Sequence, residues 1–180
     1  RLPAAKFCAI VGVPWPDACP PGFLVASGPV TTGSLPACQP DPADCAADPY
    51  GDPALGDDVV FVDGEAGSDD APGTRAKPLK TIVKGLEVAA SGGTVAVAAG
   101  TYAAPLLVTR SVFLRGRCAA MVKLSSSQAT KPIIAVVGKL NVKVDGLQMQ
   151  GGLGGVEANG AQLGIRRTWL HGVHRYGLLA

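Results

Sequence analysis

From Thr94 onward, apolar residues fall into short runs separated by Gly, Asn or brief polar stretches: Thr94–Val97, Leu106–Val108, Val112–Leu114, Met121–Leu124, Ile133–Val137, Leu140–Val144, Leu147–Met149, Gln162–Ile165 and Thr168–Leu170. Each run has three to five residues, rich in β-branched side chains, and this predicts strands too closely spaced for helices between them. Val59–Val62 predicts one earlier strand, followed by a turn-rich loop over 63–74. Residues 79–90 change period. Leu79, Ile82, Val83, Leu86 and Ala90 share one helical face, with Lys80, Lys84 and Glu87 on the other, the pattern of an amphipathic helix. Pro78 suits its first turn and Gly92-Gly93 its end. Gly85 reads as a mid-helix defect of about 1 kcal/mol.

The strand region repeats. Residues 143–152 align with 164–173 at an offset of 21, and 155–158 with 177–180 at 22. Val112–Gly116 also resembles Val142–Gly146, with a longer loop of Ser and Thr between them. A period near 21 with two or three strands per repeat suits a coil whose strands stack in parallel on their equivalents one turn away, around a continuous apolar column. A β-sandwich would supply short strands, but not this period or a helix just before them.

Composition adds a second module. Hydrophobic residues make up 47% and charged residues 17%, which excludes a disordered charged tail. With 24 Gly, 15 Pro and 5% aromatics, turns and strands are favoured over a helical bundle. Residues 1–57 hold 11 of the prolines, four of the five cysteines and a net charge of −4, against +6 for 58–180. The boundary therefore falls near Asp57. The first module reads as a Cys/Pro-rich segment stapled by disulfides among Cys8, Cys19, Cys38 and Cys45, in any of three pairings. Cys118 is then either a free buried thiol or a clip to the first module that leaves another cysteine unpaired. Metal is not expected there, because no Cys-x2-Cys pair occurs and both histidines are distant. Disulfides imply export to an oxidising compartment, secreted or at the cell surface. Pro40–Asp57 reads as an extended linker. No apolar run is long enough for a membrane span. A start at Arg1 and an end in mid-pattern suggest that both termini are trimmed.

The order strand, polar loop, Pro, amphipathic helix, Gly-Gly, strand, Gly-Thr-Tyr resembles the N-terminal opening of right-handed parallel β-helix proteins of the pectate-lyase-like superfamily. Val60–Gly64, Gly67–Asp70, Gly73, Pro78–Ile82, Gly92–Val95 and Ala99–Tyr102 carry the resemblance, which covers about residues 59–180. It implies an all-β solenoid whose open end is capped by the one helix, here through Leu79, Ile82, Val83 and Leu86. Gly85 departs from the larger residue expected there. Family members include polysaccharide lyases, hydrolases, epimerases and surface proteins without known activity.

Candidate chemistry is sparse. Asp63, Asp69 and Asp70, with Glu65, form the acidic cluster; it is either a calcium loop, outside the EF-hand spacing, or a turn whose carboxylates cap backbone amides. Arg166, Arg167, His171, His174 and Arg175 form the basic cluster, with Lys143 one coil earlier and Trp169 able to stack on a sugar. Such a set could face an acidic polysaccharide, or merely decorate a solvated sheet while Trp169 fills the core. No Gly-x-Ser-x-Gly elbow or phosphate loop occurs, and Gly151–Gly155 reads as a turn. From Arg110 the net charge is +8, yet an exported protein is not expected to meet nucleic acid. The expected protein is a secreted or cell-surface scaffold, non-catalytic over this stretch, without a cofactor and with possible carbohydrate contact. The alternatives are calcium as a cofactor, and a polysaccharide lyase or glycoside hydrolase whose site lies mostly beyond residue 180. Substrate and oligomeric state are not legible.

Overall fold

The computed structural model describes residues 19, 21–25, 38–52 and 55–179; the expectation for Cys8 falls outside the described residues. Two short strands, β1 (Phe23–Val25) and β2 (Cys38–Pro40), pair antiparallel. Then come β3 (Val59–Val62), α1 (Ile82–Val88), and four successive triplets of strands. The triplets are β4 (Thr94–Val97), β5 (Gly100–Ala103), β6 (Leu106–Val108); β7 (Val112–Gly116), β8 (Val122–Ser126), β9 (Ile134–Val137); β10 (Asn141–Asp145), β11 (Gln148–Gly151), β12 (Gly154–Asn159); and β13 (Gln162–Arg166), β14 (Trp169–His171), β15 (Tyr176–Leu179). Each triplet is one coil of a right-handed parallel β-helix. Corresponding strands stack into three parallel sheets, ordered β3-β4-β7-β10-β13, β5-β8-β11-β14 and β6-β9-β12-β15. Among the described residues, no helix is long and apolar enough to cross a membrane.

The internal repeat is the hydrogen-bond register. Val142 pairs with Val112 and with Leu163, and Met149 with Leu170, while Val156 pairs with Leu178. Inward residues then form columns: Val95, Leu114, Val144 and Ile165 along one sheet, and Tyr102, Leu124, Met149 and Leu170 along the next. The first three members of each column are buried, and the last is only partly covered because it lies on the final described coil. Alternation of inward apolar and outward polar positions fixes which residues can reach a ligand.

The helix is shorter than its periodicity predicts. Thr81 is the N-cap, its hydroxyl accepting from Lys84 N at 3.2 Å, and Arg110 Nη1 donates to the C-cap carbonyl of Ala89 at 2.8 Å. Ile82, Gly85, Leu86 and Ala89 face the core at the first coil, whereas Val83 is 50% exposed. Leu79 is buried, but as an extended residue bridging Val62. The expected face was rotated because Leu79 and Ala90, taken as helical, lie outside the helix. Gly85 is no defect: a Cβ there would stand 2.8 Å from Val62 Cγ2 and 3.0 Å from Val95 Cγ1, so its absence lets the helix seat on the coil.

The N-terminal segment differs more. Cys19 pairs with Cys38, and Cys45 pairs with Cys118, so the staple is not confined to the first module and Cys118 is not free. Nor do residues 40–52 form an extended linker. Pro42–Asp44 form a 3-10 turn, and the chain then runs along the outer face of the first sheet. There Tyr50 buries its ring edge-on against Phe61, with Ala96 and Ala98 beneath. Arg117 donates to Ala46 O at 3.0 and 2.8 Å, Arg115 pairs with Asp52 at 3.3 Å, and Arg75 lies over both rings while bonding Asp48 at 2.8 Å. An apolar outer sheet face requires such a cover, which is why the proline-rich stretch docks. The Cys45–Cys118 bridge spans a separation of 73 residues, and the chain-entropy relation assigns such a loop about 4 kcal/mol.

Gly85→Ala gains about 1 kcal/mol of helix propensity but meets stiff valine methyls, and overpacking costs about 1–3 kcal/mol. The expected result is a lower urea midpoint at unchanged m, despite the better helix former.

Candidate functional site

Outward positions of the second sheet make two in-register rows. Thr101, Lys123, Gln148 and Trp169 form one, and Ala103, Ser125, Gln150 and His171 the other. At a strand separation of roughly 4.8 Å, the face runs on the order of 14 Å from β5 to β14. Trp169 and His171, two residues apart on β14, stack with centroids 4.2 Å apart and planes 25° apart. Gln148 Nε2 donates to His171 Nε2 at 2.6 Å, which favours the neutral ring. Desolvation, and then the nearby Lys123 charge, hold the His171 pKa below its ordinary value. The row thus offers a lysine cation, primary amides, hydroxyls and a half-buried indole. Trp169 does not fill the core; Leu170 does.

The predicted basic cluster is divided among faces. Lys143 and Arg166 project from the outer face of the first sheet and are exposed. His174 and Arg175 lie at the corner before β15, where His174 Nδ1 donates to Gly152 O at 2.7 Å. Arg167 occupies the corner between β13 and β14 with φ 42°. Its counterpart one coil earlier is Gly146, at φ 66°. An arginine tolerates that left-handed conformation because its guanidinium grips Asp145 with two bonds, at 2.8 and 2.6 Å. Asp145 is 6% exposed, and donating to its carboxylate pushes the Arg167 pKa up. Of the basic cluster, Arg167 is the member clamped to a buried carboxylate.

The acidic loop caps the helix region. Asp63 accepts from Glu65 N and Ala66 N at 2.9 and 3.0 Å. Asp69 accepts from Lys80 N, Thr81 N and Thr81 Oγ1 at 3.0, 2.9 and 2.9 Å, while Asp70 stands exposed. Desolvation works to raise the Asp69 pKa, but the hydrogen bonds from Thr81 and Lys80 outweigh it and leave it lowered. Among the described residues, no group of three His, Cys, Asp or Glu side chains converges to hold a metal.

Sequence reading missed Lys123, Ser125, Gln148 and Gln150 as neighbours of Trp169. Their alternation with buried Leu124 and Met149 was available as a signal. The loop after β8 stretches the register to 25 residues between Lys123 and Gln148, which hid the alignment.

These coils define the chain as a right-handed parallel β-helix. Residues 65–150 match the family described as "Protein of unknown function (DUF1565)", a family associated with β-helix proteins. The match runs from the acidic loop through β11. No curated protein and no solved structure matches the chain.

Two outcomes are expected. Asp145→Ala removes both charge-assisted bonds to Arg167, whose side chain is 53% exposed and can turn to water, so the cost should be about 1 kcal/mol, read as a lower midpoint in denaturant. Because the Asp69 pKa is depressed in the folded state, its contribution is complete above the unfolded value near pH 4 and fades as pH falls through the folded value. Asp69→Asn should therefore flatten the acid limb of a stability–pH curve below about pH 4 while lowering the plateau at pH 7.

Proposed function

We propose that this chain is the scaffold of an exported, secreted or cell-surface β-helix that contacts acidic carbohydrate through the outer face of its second sheet, without catalysis in these coils. The observation that carries the reading is the alignment of Lys123, Gln148 and Trp169 in one register, with Ser125, Gln150 and His171 beside them. A flat row of this kind matches a sugar chain. The indole offers a stacking platform, amides and hydroxyls exchange hydrogen bonds with sugar hydroxyls, and lysine meets a carboxylate or sulfate. Lys143 and Arg166 on the adjoining first sheet add to the positive field. Two disulfides support an oxidising location. The carboxylates of the last two coils, Asp145 and Glu157, are engaged by Arg167 and by Tyr176 Oη at 2.6 Å, and this favours binding over acid–base cleavage.

The test is retention on immobilised heparin and polygalacturonate across a salt gradient, with ultraviolet absorbance following any chain cleavage. Wild type should be retained and elute with salt, leaving the polymer intact. Trp169→Ala should weaken binding by about 1 kcal/mol, roughly fivefold, and Lys123→Ala should reduce the salt dependence. Arg167→Ala should act on stability rather than on the salt slope. Indifference of retention to Trp169 and Lys123 would remove this face as the site; new double bonds would make the protein a lyase.

A further inference from the structure

We infer that the Cys45–Cys118 disulfide is a thiol-exchange site, and that its reduction by a neutral dithiol unstraps residues 46–52 from the first sheet. Cys118 borders a cavity of about 110 Å³ lined by Arg115, Arg117 and Arg167 on the coil side and by Asp41 and Asp44 on the strap side. Both cysteines are half-buried rather than sealed in the core. The two sulfurs are unlike. Cys118 follows Arg117, whose hydrogen bonds go to the carbonyls of Ala46 and Ala47. Arg115 and Arg167, by contrast, pair with Asp52 and Asp145. Cys45 follows Asp44. By sequence neighbours a cation flanks Cys118 and an anion flanks Cys45, and a flanking cation favours release of a thiolate.

The reaction balances as an ordinary two-electron exchange. One thiolate of the dithiol attacks Cys45 Sγ, the S–S bond breaks, and Cys118 departs as the thiolate and takes a proton. The second thiol of the reagent attacks the mixed disulfide, releases Cys45 as a thiol and leaves the reagent as its disulfide. The attacking species is the thiolate itself, and Asp41 and Asp44 disfavour a reagent that brings a further negative charge such as a carboxylate, which is why the reagent is a dithiol without other charged groups. The bridge is the covalent hold on a cover whose other ties are the buried Tyr50 ring, half-buried ion pairs and carbonyl contacts, each individually modest. Beneath the cover lie Phe61, Ala96 and Ala98, at 9%, 0% and 4% exposure. Opening the latch turns a sealed outer face into an apolar one.

The full chain is treated with dithiothreitol, quenched with iodoacetamide, and mapped for alkylation at Cys45 and Cys118. Parallel samples report far-ultraviolet dichroism, hydrophobic-dye fluorescence and protease cleavage within 46–57. The expected result is alkylation of both cysteines while the β-helix dichroism is intact, with dye binding and cleavage about tenfold faster. Arg117→Gln should slow the reduction severalfold, and Cys45→Ser/Cys118→Ser should be cleaved at the fast rate without reductant. Reduction that occurs only together with loss of dichroism overturns the proposal, as does a folded double variant as protease-resistant as wild type. The wild-type arm decides the matter even if the double variant does not fold.

Discussion

Parallel hydrogen bonding between successive coils is the constraint from which the other features descend. Once Val144 pairs with Leu114 on one side and Ile165 on the other, every side chain stands above its counterpart one turn away. The inward set must then be apolar at every level, and the outward set becomes a lattice of rows whose chemistry the sequence can choose freely. Lys123, Gln148 and Trp169 share a row because Leu124, Met149 and Leu170 share a column. The face proposed to meet carbohydrate is a by-product of core stacking, and it needs no loop to hold it in place.

A stack of parallel strands has ends and outer faces to protect. At the first coil, α1 closes over the column, and its seating depends on Gly85 lacking a Cβ. Tyr102 ties the same end together: its hydroxyl donates to Ala98 O at 2.9 Å and accepts from Gly64 N at 3.2 Å. Burial pushes its pKa up to about 12, so it keeps its proton and both bonds throughout the physiological range. The first sheet's outer face is covered differently, by a chain segment whose few apolar residues suffice because a disulfide and three arginines hold it down.

The coil architecture was legible in the sequence because stacking leaves a trace there. The offsets that align 143–152 with 164–173, and Val112–Gly116 with Val142–Gly146, are the strand registers themselves. Strands β5, β12 and β15 were less visible, since Gly100, Gly154 and Gly177 dilute their apolar character. The covering segment was misread for a physical reason: its local composition says linker, and only the distant partners Phe61, Arg117 and Cys118 make it a cover. The basic cluster suffered similarly. Adjacency along the chain from Arg166 to Arg175 is not adjacency in space when corners intervene, and one of its members, Arg167, is occupied by a buried carboxylate. The calcium reading of Asp63 and Asp69 competed with amide capping, and capping is where their carboxylates point.

Coil lengths differ in a way that has a use. From β4 onward, strand-to-strand steps run from 19 residues between Thr94 and Phe113 to 30 between Val112 and Val142, yet the columns remain aligned. The surplus is absorbed at the bends, notably the exposed residues 127–130 after β8; Lys131 and Ile133 already bond to neighbouring coils. Length there is uncoupled from registry. That bend is a natural graft point, where a foreign peptide could be displayed at a defined height on a rigid pillar without asking the pillar to refold.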